Sequence, residues 1–191
     1  DELVSVAVAQ PGDELILSSA KGQAVRFKQS TVRSSGRNAQ GVKGIKLRKD
    51  DYCVGMVVAD PDATLLTVSE KGYGKRTPIG PNSNVQDVRD IKTTERNGPV
   101  VSIVVVRDDD ELLMMTARGK LQRIKAADLS VIGRNTQGVR IMSLDESDAL
   151  VAVVRVPKEE EAVAIEPSLG TPAISPSSSG PPPAPPAPPA E

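Results

Sequence analysis

The 191-residue sequence lacks histidine and tryptophan and has a single cysteine, Cys53. Without histidine, the chain excludes a Ser-His-Asp triad and any metal site that needs an imidazole ligand. A lone cysteine excludes an internal disulfide framework and is typical of a reducing compartment. Apolar runs are too short to cross a membrane and the sequence shows no secretory leader, so we expect no membrane association.

Aromatic residues are also scarce, at 2% of the chain. A core must therefore be built from Val, Leu, Ile and Met. These residues occur in short, β-branched runs separated by Gly, Pro and Asp, which is the pattern of strands joined by turns. Helix is hard to support, since the best candidate, residues 126–129, is barely one turn. The sequence predicts an all-β fold.

A seven-residue stretch marks an internal repeat. Residues 36–42 read GRNAQGV and residues 133–139 read GRNTQGV. The two copies differ at one of seven positions and lie 97 residues apart. The first strand of the repeating unit is anchored at Val4, Val54, Val101 and Val151, spaced by 50, 47 and 50 residues. Four short strands at a period near 50 are typical of propeller blades.

The repeat gives the predicted domain organisation. Residues 1–157 form about three four-stranded blades, at roughly 3–50, 51–98 and 99–148, followed by a final strand in 149–156. Each blade contains a hairpin with a Lys-Gly or Arg-Gly turn. In the first blade the outer strands are predicted at Leu3–Val8 and Val42–Leu47. The middle blade lacks the Gly-Arg-x-x-x-Gly pattern, and its last strand is predicted at Ile91–Thr93. Its segment between Gly72 and that strand is four residues shorter than in the other two blades.

Charge divides the chain in two. Residues 158–191 hold five Glu and one Lys, then Ser and Pro, and this composition predicts a disordered acidic and Pro/Ser-rich tail. The formal net charge is −1, yet residues 1–157 carry 23 basic and 20 acidic residues, a net charge of +3. A mildly basic body is consistent with an anionic partner.

Basic residues return at equivalent places in the repeats. Arg26, Arg76 and Arg123 each stand four residues after a hairpin glycine, and the loop pair Arg37 and Arg134 recurs as well. On a repeated scaffold they form a stripe along the rim, which suits a bent phosphate backbone and carries no base-reading chemistry. The alternative is that they only solvate exposed strands. The predicted DNA-binding residues are Arg26, Lys28, Arg37, Lys43, Lys46, Lys75, Arg76, Lys92, Arg96, Arg123, Lys125, Arg134 and Arg140.

Other chemistries find little support in the sequence. The acidic turns at 60–62 and 108–111 match ordinary polar turns better than metal ligands. The glycines of the repeated stretch are not followed by a helix or by Gly-Lys-Ser/Thr, so they are better explained as tight turns than as a nucleotide loop. We predict no catalytic residues, no metal and no cofactor in this chain.

The repeated GRNxQGV stretch, the hairpin at 70–77 (EKGYGKRT) and the run at 91–98 (IKTTERNG) resemble the C-terminal domain of DNA gyrase A, over residues 1 to about 156. The resemblance implies a β-pinwheel, a six-bladed propeller variant in the full domain. Only three blades are present here. The family's basic box, Gln-Arg-Arg-Gly-Gly-Lys-Gly, is absent.

The resemblance implies a sequence-tolerant module that binds, bends and wraps double-stranded DNA and supports ATP-dependent negative supercoiling by a type IIA topoisomerase, DNA gyrase. Its expected partners are DNA, the rest of gyrase A, and gyrase B, in the bacterial cytoplasm near the nucleoid. Two alternatives stay open: the corresponding DNA-binding domain of topoisomerase IV, and a propeller that binds a protein partner.

Overall fold

The computed structural model describes residues 2–80 and 88–156, with only the backbone at Val88. In these ranges it contains eleven β-strands, two single-turn 3-10 helices (Gln29–Thr31 and Ala126–Asp128) and no α-helix, which confirms the all-β prediction. The strands are β1 (Glu14–Ser19), β2 (Gln23–Lys28), β3 (Cys53–Val58), β4 (Thr64–Ser69), β5 (Tyr73–Pro78), β6 (Val88–Arg89), β7 (Val100–Val106), β8 (Glu111–Thr116), β9 (Leu121–Lys125), β10 (Val139–Arg140) and β11 (Leu150–Val156).

Three antiparallel hairpins, one for each repeat, are the centres of the sheets. They are β1–β2, β4–β5 and β8–β9, and they stand where the Lys-Gly and Arg-Gly turns predict them. The same hairpin position pairs in all three, as Leu17 with Val25, Thr67 with Lys75, and Met114 with Gln122. The repeats seen in the sequence are therefore structurally equivalent.

Each hairpin is completed by strands from the following repeat. The first sheet has the order β3-β1-β2-β6 and the second β10-β5-β4-β7, whereas the third has three strands in the order β11-β8-β9. In the first two sheets the flanking strands come from the next repeat on both sides. A two-stranded hairpin is only marginally stable in water, so each sheet depends on its neighbour in sequence.

The exchange of strands accounts for two strands that the sequence predicts and the structure lacks. Leu3–Val8 and Val42–Leu47 adopt no strand, and Val8 is 83% exposed. Their counterparts in the third repeat, β7 and β10, pair with the hairpin of the repeat before. No hairpin precedes residue 3 in the 191 residues, so these backbone groups have no ladder to join.

The middle repeat pairs its last strand with the preceding hairpin, as the third repeat does, but through different residues. The predicted strand at Ile91–Thr93 is wrong, since β6 lies slightly earlier and Ile91 forms only an isolated bridge with Thr136. Although the Gly-Arg-x-x-x-Gly pattern is missing, β6 pairs with β2 as β10 pairs with β5. Arg89 lies opposite Gln23 and Arg140 opposite Tyr73, so the two strands are equivalent.

The GRNxQGV stretch has two environments. In the second copy the backbone N–H of Asn135 donates to Asp90 O (2.8 Å), and Thr136 O accepts from Lys92 (2.8 Å). A Cβ on Gly138 would lie 2.7 Å from Gly74 O, whereas one on Gly41 in the first copy would meet nothing within 4 Å. One sequence is thus packed in one place and exposed in the other.

The core lies between successive sheets and is almost wholly aliphatic. One cluster joins the first and second sheets, through Ile16, Ile91 and Val100, and another joins the second and third sheets. In the second cluster, Leu66 and Leu112 are fully buried. Burial of such side chains contributes about 1.5–3 kcal/mol each, so the contacts between sheets stabilise the fold. The predicted tail lies outside the described residues.

The hairpin glycines provide a test of the exchanged packing. Gly72 and Gly119 share a left-handed backbone, with φ of +75° and +81°. A Cβ on Gly72 would lie 2.3 Å from Met142 O, in the segment that follows β10, whereas a Cβ on Gly119 would meet nothing within 4 Å.

We predict that Gly72→Ala lowers the free energy of unfolding by at least about 1 kcal/mol more than Gly119→Ala, because both variants strain a positive φ and only the first displaces a backbone. Urea unfolding of the two variants measures the difference. Equal losses would show that the exchanged segment does not pack on the second hairpin.

Candidate nucleic-acid interface

Two of the three recurring arginines are buried and bind the protein itself. The guanidinium of Arg76 is 2% exposed, donates to Thr64 Oγ1 (2.9 Å) and to Ala126 O (2.9 Å), and pairs with Asp108. Arg26, which is 8% exposed, donates to Glu14 Oε2 (2.8 Å) and to Ile79 O (2.6 Å). Both arginines connect a hairpin to the loops that cover it.

Lys75, predicted at the rim, is also inside. Its ammonium is fully buried and lies 2.8 Å from Asp90 Oδ1 and 2.7 Å from Thr77 Oγ1. The other oxygen of Asp90 accepts from Thr67 (2.5 Å). Removing one partner of such a pair would leave a buried uncompensated charge. The prediction that Arg26, Lys75 and Arg76 lie on the rim is therefore corrected: all three hold repeats together, and we leave them out of the interface.

Arg123, the third recurring arginine, is exposed. Its side chain is 63% accessible and binds Glu111 across the hairpin, with Nε 2.6 Å from Oε2. The reason is its position: β9 is an outer strand of its three-stranded sheet, and among the described residues no exchanged strand pairs with it. The remaining predicted cations are exposed as well: Lys28, Arg37, Lys43, Lys46, Lys92, Arg96, Lys125, Arg134 and Arg140.

The structure gathers cations at the turn end of the first hairpin. Lys21, Gln23, Arg48 and Arg89 line a cavity of about 50 Å³, which we call the first corner. They come from the hairpin turn, β2, the connection to β3, and the exchanged strand β6. The carboxylate of Asp51 accepts from the Ser19 hydroxyl (2.8 Å) and from the backbone N–H of Lys21 (2.9 Å).

The second corner is built in the same way one repeat later. Lys71, Tyr73, Arg96 and Arg140 line a cavity of about 460 Å³, together with the carboxylates of Glu70, Asp145 and Asp148. Tyr73 takes the place of Gln23, and Arg140 that of Arg89, in matching strand register. The guanidinium carbons of Arg96 and Arg140 lie 4.9 and 5.5 Å from the centroid of the Tyr73 ring.

At the third corner, by contrast, the cations bind groups of the protein itself. Lys120 pairs with Asp145 (3.0 Å), and Arg118 donates to Ser147 Oγ (2.8 Å). Asp148 accepts from the backbone N–H of Ala149 (2.8 Å). Burial opposes ionisation of Asp148, but its hydrogen bonds, from Thr116 and the backbone, hold its pKa below the ordinary value. The cations of this corner are thus partly neutralised within the protein.

Sequence reasoning missed four of the corner cations. Lys21, Lys71, Arg48 and Arg89 were not singled out, although the turn lysines recur at the same place in two repeats. Arg89 is the hardest to find, because its role follows only from the pairing of β6 with β2. Among the described residues, none of Lys21, Arg48, Arg89, Lys71, Arg96 and Arg140 forms an ion pair.

The acidic turns serve the fold. Asp60 pairs with Arg107 (2.6 Å), and Asp110 accepts from the Arg107 backbone (2.7 Å). Burial opposes ionisation of Asp60, yet the N–H of Asp62 and the Arg107 side chain hold its pKa below the ordinary value. In the described part of the chain no group of three or more His, Cys, Asp or Glu is placed to hold a metal ion, and no helix is long and apolar enough to span a membrane.

Repeats that complete one another's sheets, with basic corners spaced one repeat apart, define a blade-repeat protein of the propeller class. Comparison with protein families supports and narrows that class. The family model described as "DNA gyrase C-terminal domain, beta-propeller" matches residues 13–60, 63–80 and 110–157. The chain belongs to this family.

Relatives and solved structures agree. The DNA gyrase A protein of Salmonella typhimurium is 43% identical over 176 residues, which cover 88% of this chain and 20% of that protein. The Escherichia coli protein is 42% identical over 167 residues, 84% of this chain and 19% of that protein. The chain thus spans about a fifth of the length of these curated relatives.

A solved C-terminal domain of DNA gyrase A superimposes with a TM-score of 0.69 at 32% identity, over 76% of this chain and 51% of the other. The C-terminal domain of DNA topoisomerase IV superimposes with a TM-score of 0.68, but at 23% identity, over 76% of this chain and 47% of the other. The second likeness shows the fold alone.

The contrast between equivalent arginines gives a prediction. We expect Arg76→Gln to lower the free energy of unfolding by about 2–3 kcal/mol, because the buried Ala126 carbonyl and the Thr64 hydroxyl lose a charged donor. Arg123→Gln is the matched control and should change it by less than about 0.5 kcal/mol, since an exposed ion pair contributes little. Thermal or urea unfolding measures both, and similar losses would contradict the assignment of Arg76 to the fold.

Proposed function

We propose that the chain is the DNA-binding part of a DNA gyrase A protein, and that it binds, bends and wraps double-stranded DNA without reading its sequence. One observation carries the proposal. Two equivalent corners, one repeat apart, present cations that form no ion pair within the described residues. Cations that are free of ion pairs and return in matching register are suited to a phosphate backbone.

The residue types favour backbone contact over base reading. Lys and Arg at hairpin turns and loops reach phosphates, which position a protein on DNA without specifying a sequence. The proposed interface adds two further exposed cations, Lys92 and Arg134, to those of the corners. Its residues are Lys21, Arg48, Arg89, Lys71, Lys92, Arg96, Arg134 and Arg140. Lys28, Arg37, Lys43, Lys46, Arg123 and Lys125 stay as further exposed candidates.

Bending follows from the arrangement of the corners on successive sheets. Bending a duplex of about 20–30 base pairs along the corners costs an elastic energy of about 1–6 kcal/mol. Neutralisation of phosphates and release of counterions offset this cost. Within a complete gyrase, wrapping of this kind would set the handedness of the crossing and support ATP-dependent negative supercoiling. The partners we propose are double-stranded DNA, the rest of gyrase A, and gyrase B, in the bacterial cytoplasm at the nucleoid.

The identity to curated relatives favours gyrase over topoisomerase IV. Curated relatives at 37–43% identity include DNA gyrase A proteins of several organisms, whereas the solved topoisomerase IV domain is 23% identical and shows the fold alone. A propeller that binds only proteins is the remaining alternative. It has no explanation for two sets of equivalent cations that form no ion pair within the described residues.

The proposal is tested by the salt dependence of binding. We expect the full 191-residue chain to retard duplexes of unrelated sequence equally, and its affinity to fall steeply between low and moderate salt. Arg48→Gln with Arg89→Gln should lower the slope of log affinity against log salt by about 1.8, because each lost phosphate contact contributes about 0.9. Gel retardation over a salt series measures both.

The matched control is Arg107→Gln with Arg118→Gln, which removes two exposed arginines that bind Asp60 and Ser147 instead of lining a free corner. It should leave the slope unchanged. Binding that barely responds to salt, or an equal effect of the two double variants, would overturn the proposal. Capture of a protein partner with no retardation of DNA would favour the protein-binding alternative.

A further inference from the structure

We propose that Tyr73 is a positioning residue that holds Arg96 and Arg140 as a two-arginine clamp for one stretch of phosphodiester backbone. This inference rests on the proposed function and assigns a specific role within it. It concerns the second corner, where the chain supplies the two guanidiniums from separate segments. Arg96 lies in the connection before β7, and Arg140 lies in the exchanged strand β10.

The phenol hydrogen-bonds both arginines. Arg140 Nη2 donates to Tyr73 Oη (3.1 Å), and Arg96 Nε lies 3.4 Å from the same oxygen. Both guanidiniums also stand over the ring, where a cation is attracted to the negative face. Tyr73 is only 5% exposed, so the ring is a fixed support.

The arrangement brings two like charges together over one ring, in a cavity that the carboxylates of Glu70, Asp145 and Asp148 also line. Neither Arg96 nor Arg140 forms an ion pair within the described residues, and both side chains are exposed. A guanidinium has five N–H donors in a planar fork. Each arginine here uses one of them on the phenol, so both keep donors that suit the oxygens of a phosphate.

The phenol itself reports on this environment. Hydrogen bonds from Arg140 and then Arg96 hold the pKa of Tyr73 below its ordinary value, against the effect of burial. The other charged groups that line the same cavity are Glu70, Lys71, Asp145 and Asp148. A phosphate bound by the two arginines would add negative charge beside the phenol and draw the guanidinium donors away from it. Binding of DNA should therefore raise the pKa of Tyr73.

The first corner shows what the tyrosine adds. There Gln23 stands where Tyr73 stands in the second corner, and no ring lies between Arg48 and Arg89. The two corners thus have equivalent cations, but only the second has an aromatic support. Tyr52, the other tyrosine, is 59% exposed, forms no contact with an arginine among the described residues, and provides a matched control.

The test is an NMR titration of the phenol in the full 191-residue chain carrying Tyr52→Phe, with ¹³C-labelled tyrosine, so that Tyr73 alone is observed. The titration is run with and without a short DNA duplex at low salt. We expect the pKa of Tyr73 to rise when DNA is bound. A binding series should show that Arg96→Gln with Arg140→Gln lowers the salt slope by about 1.8, and that Tyr73→Phe lowers it by a smaller amount while Tyr52→Phe leaves it unchanged.

The outcomes separate the two proposals. If DNA binds and the pKa of Tyr73 does not move, the clamp is overturned and the proposed function stands. If Tyr73→Phe binds DNA with the salt slope of Tyr52→Phe, Tyr73 does not position the arginines. If the chain fails to bind DNA at any salt concentration, the proposed function fails and the clamp with it.

Discussion

The fold depends on backbone hydrogen bonds made between repeats. A hairpin such as β4–β5 cannot satisfy its outer edges by itself, and in this chain the following repeat supplies β7 on one side and β10 on the other. Because unpaired backbone groups are costly once buried, each repeat is stable only in the context of the next. The aliphatic clusters between sheets reinforce the same dependence, since their members come from successive repeats.

The proposed interface is a consequence of that exchange. Each corner combines the turn and one arginine of a repeat with one arginine of the following repeat, so no repeat carries a corner alone. The third hairpin shows what happens where, among the described residues, no exchanged strand pairs on the β9 side. A Cβ on its turn glycine, Gly119, would meet nothing, its arginine Arg123 faces solvent, and its corner is occupied by the pair Lys120–Asp145.

Much of this architecture could be predicted from the sequence. The period near 50, the three hairpins with their Lys-Gly or Arg-Gly turns, and the aliphatic core all follow from local patterns, and the structure has them. The outer strands were harder to predict. Nearly the same sequence precedes Val42–Leu47 and Val139–Arg140, but only the second segment has a preceding hairpin to pair with, and only the second forms a strand. Strand formation there is decided by a long-range partner, which local pattern does not contain.

The site shows the same limit. The sequence correctly predicted that Arg96 and Arg140 are exposed, but it also assigned Arg26, Lys75 and Arg76, which are buried, to the same surface. All three are in hairpin strands covered by neighbouring segments, and a recurring arginine serves equally well as a buried connection between repeats. Register, and not recurrence, distinguishes the two roles, since it is register that sets Arg89 opposite Gln23 and Arg140 opposite Tyr73.

The central claim is that DNA lies on the first and second corners and avoids the third. Hydrogen–deuterium exchange of the full chain, compared with and without a DNA duplex, tests this claim most directly. We predict slower exchange on DNA binding around the turns at 21–23 and 71–73 and near Arg89 and Arg140, with no change at 118–120. Protection that is equal at all three hairpins, or strongest at the third, would contradict it.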